Sequence, residues 1–207
     1  MTRARPSAPR EYSRAYFDKW YRDPRFRVKT ARDLERQVRF VLAAADYLLD
    51  RPVRSVLDVG CGEGQWRPAL RRLRPGIRYH GVDASEYAVR RFGRRRNIRL
   101  GSIDDLDSLG LPSSFDLVLC VGMLNYLTPA QLRRGLAQVE TRCAGVAYLE
   151  IFTREDDGVV GDLRRRDARP AASYRRLMRS AGLVSCGMHC YVPEELRENT
   201  AALERTS

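Results

Sequence analysis

The chain has 207 residues and a formal net charge of +12, carried almost wholly by arginine, since Lys19 and Lys29 are its only lysines. That length suits one α/β domain with an N-terminal extension and leaves little room for a second core. Five cysteines, an odd number in mostly apolar surroundings, argue against a disulfide framework, and no apolar run is long enough to span a bilayer.

The expectation is a soluble, cytoplasmic protein. The arginines fall in short scattered groups, such as Arg71-Arg72, Arg94-Arg95-Arg96, Arg133-Arg134 and Arg164-Arg165-Arg166. Such spacing favours the solvated faces of helices over a nucleic-acid footprint.

Residues 1–10 are basic, contain proline and lack an apolar core, so they read as a disordered tail and not a secretory signal. Residues 11–50 read as a helical cap. Glu11–Tyr21 carries Tyr12, Tyr16 and Trp20 at four-residue spacing, one aromatic face of a short helix. Thr30 with Asp33 marks a second helix start, and Asp50-Arg51-Pro52 stops it.

Residues 51–207 alternate short apolar runs with amphipathic stretches. Strands are expected at Ser55–Val59, Arg78–Val82, Asn97–Leu100, Phe115–Val121, Gly145–Phe152 and Val184–Val192. Helices are expected at Gln65–Leu73, at Ser85–Gly93 with Ser85 as N-cap, from Thr128-Pro129 to about Thr141, and at Ser173–Ala181. This alternation predicts a doubly wound, mostly parallel α/β sheet with helices on both faces. Thr153–Ala172 is one long irregular connection, the kind that carries function. The tail, Pro193–Thr206, fits either a helix or a closing strand. Cys186, His189 and Cys190 do not predict a metal site: on a strand His189 would face away from the two cysteines, and no second pair completes a tetrahedral set.

The informative segment is Val56-Leu57-Asp58-Val59-Gly60-Cys61-Gly62-Glu63-Gly64, a buried strand running into a glycine turn and then a helix. Such a turn lets backbone approach a ligand closely, with helix-start amides facing the same crevice. Downstream, Tyr79–Asp83 ends in an acid, which an adjacent strand would bring to the same edge to accept hydrogen bonds from a ribose diol. A nicotinamide dinucleotide shares this logic, but position 65 is Gln65 where that fingerprint needs glycine or alanine. Asp58 beside the loop would also repel a pyrophosphate and suit a cation.

These motifs, together with Gly81-Val82-Asp83-Ala84-Ser85 and Phe115–Cys120, resemble the class I S-adenosylmethionine-dependent methyltransferase family over roughly Arg54 to Tyr191. The resemblance implies a seven-stranded Rossmann-like sheet and S-adenosylmethionine as cofactor. It implies that Gly60, Cys61, Gly62 and Gly64 pack against the methionine and ribose parts, that Asp58 orients the amino group, and that Asp83, followed by Ala84, binds the ribose. It further implies that Asp104, with Asp105 as its neighbouring alternative, faces the adenine beside Ile103, and that Cys120 and Val121, closing the fourth strand, line the pocket through backbone atoms.

A sulfonium methyl is already activated, so the protein has chiefly to align a nucleophile and exclude water. After the fourth strand stands Val121-Gly122-Met123-Leu124-Asn125-Tyr126, which is not the signature of base-amine methylation, offers no cysteine nucleophile and supplies no metal-binding acid. The expected reaction is metal-independent methylation of a small, anionic molecule. Asn125, Tyr126 and His189 are the candidate catalytic residues, with Glu150 near the fifth strand's end as a further one. Tyr16 and Trp20 would face the substrate from a lid, and Arg154 and Arg164 would bind its anionic group. The alternatives are an enzyme acting on RNA or protein, and a non-catalytic cofactor-binding partner protein.

Overall fold

A computed structural model describes residues 12–163 and 166–205. Seven strands form one sheet: β1 Ser55–Val59, β2 Arg78–Asp83, β3 Ile98–Leu100, β4 Phe115–Val121, β5 Cys143–Glu150, β6 Leu183–Ser185 and β7 Cys190–Pro193. Their order is β3-β2-β1-β4-β5-β7-β6, with β1 to β5 parallel and β7 antiparallel to both of its neighbours.

β1 is buried at every position and β4 at five of seven, as strands covered on both faces must be. Alternate residues of β1 feed two cores. Leu57 and Val59 join Leu132, Leu136 and Met178, from helices α5 (Pro129–Arg142) and α6 (Ala171–Ser180), on one face. Val56 joins Val38, Val41, Trp66 and Leu70, from α2 (Ala31–Leu49) and α3 (Trp66–Leu73), on the other.

The helix starts follow local chemistry. Thr30 and Asp33 close a reciprocal capping box on α2, as Thr128 and Gln131 do on α5, where Pro129 occupies the first turn. Ser85 Oγ accepts from Ala88 N at 3.1 Å to begin α4 (Glu86–Arg96).

Three expectations change. The aromatic segment is a single α-turn, α1 (Arg14–Phe17), that widens into a π-helical turn at Asp18–Arg22 and is not one regular helix, while Tyr12, Tyr16 and Trp20 still follow one another ring to ring, with centroids 5.2 and 6.5 Å apart. Asn97 is not a strand residue: it takes a left-handed conformation as the C-cap of α4. Val184–Val192 is not one strand either. Gly187, Met188 and His189 all have positive φ and fold it into the β6–β7 hairpin, closed by Cys186 N donating to Cys190 O at 2.8 Å. The closing antiparallel strand is therefore Cys190–Pro193, and the tail continues as a 3₁₀ turn at Glu194–Asn199. The expected basic tail, residues 1–10, lies outside the described residues.

Candidate functional site

A cavity of about 290 Å³ lies along the carboxyl edge of β2, β1, β4 and β5. Adjacent parallel strands with crossovers leaving in opposite directions from β1 open such a crevice, since β2 lies to one side of β1 and β4 to the other.

At its first end stands the glycine loop. Gly60, Gly62 and Gly64 all have positive φ, which only glycine adopts without strain. Gly60 N and Cys61 N both donate to Val82 O, so the loop is sewn to the end of β2. Asp83 locks that join: Oδ2 accepts from Gly62 N at 2.6 Å and Oδ1 from Ser85 N at 2.8 Å. Burial raises its pKa while these two amide hydrogen bonds pull it down. Asp83 lines the cavity, and each of its oxygens keeps acceptor capacity beyond these bonds.

Asp58 is 1% exposed, and Tyr79 donates its hydroxyl to Oδ2 at 2.7 Å. Burial pushes its pKa up to about 7, against the pull of Tyr79. The cavity wall therefore holds a carboxyl group that burial keeps partly protonated near neutral pH.

The N-terminal segment forms the roof. Tyr12, Tyr16, Phe17, Trp20 and Tyr21 all line the cavity and pack edge to face, as in Tyr12–Tyr16 and Phe17–Tyr21. Three anchors hold it. Arg22 Nη2 reaches both oxygens of buried Glu63 at 2.7 Å, Ser85 Oγ donates to Tyr12 O at 2.6 Å, and Tyr21 sits so close over Gly62 that an added Cβ there would strike its hydroxyl. Burial raises the Tyr16 pKa, with smaller contributions from Tyr126, Tyr12, Asp162 and Asp83. Its hydroxyl stays a donor and sits among groups from both ends of the cavity.

At the other end, Glu150 closes β5. Lys29 Nζ donates to both of its oxygens at 2.8 and 2.9 Å and to Gln37 Oε1 at 2.8 Å. Gln37 Nε2 donates to Glu150 Oε2 at 2.6 Å and to Tyr148 OH at 2.9 Å. An added Cβ on Gly122 would lie 3.9 Å from Glu150 Oε1, so this cluster borders the turn after β4. The segment Val159–Leu163 and Arg166 complete the wall. Among the described residues, no three His, Cys, Asp or Glu side chains converge to hold a metal ion.

Of the residues expected at the site, Asp58, Gly60, Cys61, Gly62, Asp83, Ala84, Ile103, Asn125, Tyr126, Tyr16 and Trp20 line the cavity. Others do not. Asp104 accepts from Ser102 Oγ at 2.6 Å and pairs with Arg134 at 2.7 Å, while Ser102 and Ile103 form the wall in its place. Of the expected pair closing β4, Val121 lines the cavity, while Cys120 is fully buried in the core. Gly64 packs beneath the loop, where an added Cβ would meet Ile98.

His189 is on the hairpin turn, stacked edge-on against Tyr148 and Phe152. Arg154 is exposed and donates to Ala168 O, and Arg164 lies outside the described residues. Asn125 reaches the cavity with its amide already used: Nδ2 donates to Phe152 O and Tyr174 OH, and Oδ1 accepts from Phe152 N. It acts as a clamp between the β4 turn and the β5 end. Sequence reasoning missed Lys29 and Gln65, while Val159–Leu163 belongs to the long connection Thr153–Ala172, expected to carry function. Lys29 alone carried a signal, being one of two lysines and standing directly before a helix cap.

The sequence model of a methyltransferase domain matches residues 56–144. An uncharacterized protein of Synechococcus is 31% identical over 117 residues, which is 53% of this chain but 27% of that relative, so the match spans little more than a quarter of its length. A sugar N-methyltransferase of Streptoalloteichus superposes with a TM-score of 0.63 at 19% identity, covering 88% of this chain and 90% of that one. An amino pentose methyltransferase of Micromonospora echinaspora, solved with S-adenosylmethionine bound, gives 0.59 at 19% identity over 75% and 87%. A Streptomyces venezuelae protein, DesVI, gives 0.61 at 15% identity over 79% and 93%. At these identities the likeness is one of fold.

Proposed function

We propose, from the domain match over residues 56–144, the motif order and the fold, that the chain is a class I methyltransferase that binds S-adenosylmethionine and methylates a small, anionic acceptor without a metal. The observation that carries this reading is Asp58: a buried carboxyl in the cavity wall, its pKa pushed up to about 7 by burial, fits a ligand that brings a positive charge beside it.

Asp83 would hold the ribose hydroxyls through its spare lone pairs, with Gly62 N and Ser85 N fixing the carboxylate in place. The backbone of Gly60 and Gly62, whose missing Cβ atoms leave room for Met123 and Tyr21, would border the methionine part, and Asp58 would face its positive end. Ser102 and Ile103 would flank the adenine. When bound, the cofactor would supply a methyl group already activated by its positive sulfur.

The chain's own task is then alignment and dryness. The aromatic roof excludes water, and its electron-rich faces favour a cationic guest. Tyr16 and Tyr126 would orient the acceptor, and Arg166 would take its anionic group. Residues 12–30 act as a lid whose clasp is Arg22 on Glu63.

Calorimetric titration of the purified chain with S-adenosylmethionine should show one site. Labelled cofactor incubated with fractionated extract should then yield a methylated small molecule, identified by its mass. A titration without heat at several temperatures would end the reading, and label appearing only in macromolecules would move the acceptor to RNA or protein.

A further inference from the structure

The acceptor end of the cavity opens through an apolar mouth. Val28, Val160 and Leu163 line the cavity yet are 38%, 64% and 50% exposed, and Phe26 stands beside Val28 on the same turn at 43%. Val28 belongs to the segment before α2, and the other two to the connection between β5 and α6. The segments meet there: an added Cβ on Gly161 would lie 3.8 Å from Val28 Cγ2. Tyr126 OH, donating to Asp162 O at 3.1 Å, holds the second segment against the β4 turn.

Other exposed apolar side chains, such as Tyr47, Met188 and Leu203, do not line the cavity, and scattered exposure of that kind is ordinary. The mouth differs because its residues are also cavity wall, so whatever fills the cavity and protrudes from it must touch them. Inward of the mouth, Arg166 keeps Nη2 on Thr153 O, while its Nε is buried without a partner among the described residues. A buried guanidinium donor left unsatisfied is costly unless a ligand supplies an acceptor.

We propose that the mouth is a subsite for an apolar tail, and that the acceptor is therefore an amphiphile. Its anionic head meets Arg166 inside the cavity, and its aliphatic or aromatic tail lies between Val28, Val160 and Leu163. This rests on the methyltransferase reading for the word acceptor, but the subsite itself stands on the wall residues alone.

The test uses the full chain saturated with S-adenosylhomocysteine, titrated with acetate, butyrate, hexanoate and octanoate while following tryptophan fluorescence, since Trp20 lines the cavity. Affinity should rise by roughly two- to fourfold per methylene. In the variant carrying Val160→Asp and Leu163→Asp the series should flatten, whereas Met188→Asp, which alters an exposed apolar residue outside the cavity wall, should keep the gain.

A flat series in a protein that binds S-adenosylhomocysteine overturns the proposal, as does a gain that survives the double variant. Self-association, or sedimentation with anionic lipid vesicles, that the double variant abolishes would assign the patch to a second copy or a membrane, and would equally overturn it. A chain-length gain in protein that fails to bind S-adenosylhomocysteine would keep the subsite and sink the methyltransferase reading.

Discussion

The two ends of the cavity are built differently. The end at β1 and β2 is made of backbone and of carboxylates that hold backbone: Asp83 fixes Gly62 and Ser85, and the partners lie within 21 residues of each other. The end at β4 and β5 is made of side chains brought from afar, as when Lys29 meets Glu150 across 121 residues. The first end offers one fixed shape suited to one ligand. The second can change its ligand through a few loop residues while the sheet stays as it is.

The largest effect should come from breaking the first end. Asp83→Ala removes the acceptor of two buried amides and the proposed ribose contact, and should weaken S-adenosylmethionine by a hundred- to a thousandfold, about 3–4 kcal/mol, in calorimetry. Unchanged affinity would relocate the ribose.

Asp58 gives the same end a pH signature. Its folded-state pKa, about 7, lies above the value near 3.9 of an exposed aspartate, so folding favours the protonated form. That stabilisation is complete below about pH 4 and is lost as pH rises through about 7, by roughly 3–4 kcal/mol in the cofactor-free protein. Chemical denaturation across pH should show the decline, and Asp58→Asn should flatten it. Below pH 7, binding of the cationic cofactor should release close to one proton, measurable by titration in buffers of different ionisation enthalpy.

The second end should respond to charge pairing. Lys29→Met leaves Glu150 buried without its cation and should cost about 3 kcal/mol in denaturant unfolding, most of which Lys29→Met with Glu150→Gln restores. An additive double variant would mean that the pair is not coupled. Smallest is the effect on acceptor binding: Arg166→Glu should raise the acceptor KM about tenfold with cofactor affinity intact, while Arg154→Glu, outside the cavity wall, should change it less than about twofold.

The same contrast explains what could be read from the sequence. Ser55–Val59, the glycine turn and the acid of β2 are contiguous or nearly so, and their buried runs, positive-φ glycines and caps are local signals. The parallel pairing of the first five strands follows from them and from the later strand–helix alternation, whereas the count of seven came with the family resemblance. Local signals misled where tertiary context decided. Apolar alternation across Val184–Val192 concealed a hairpin that turns on three consecutive left-handed residues, two of them not glycine. A loop acid such as Asp104 reads the same whether it faces a ligand or, as here, Arg134. Lys29 and Glu150 could not be paired by spacing, since only the closed fold brings them together.

The roof of the cavity also has a place in time. Its residues are the first of the described chain to be synthesised, yet Glu63, Ser85 and Glu150, which hold it, emerge tens to more than a hundred residues later. Contacts of such sequence separation form late, because chain closure has to precede them. During translation the aromatic segment therefore waits beside a nascent sheet, its rings in water, and Trp20 should report its docking as the last event of folding.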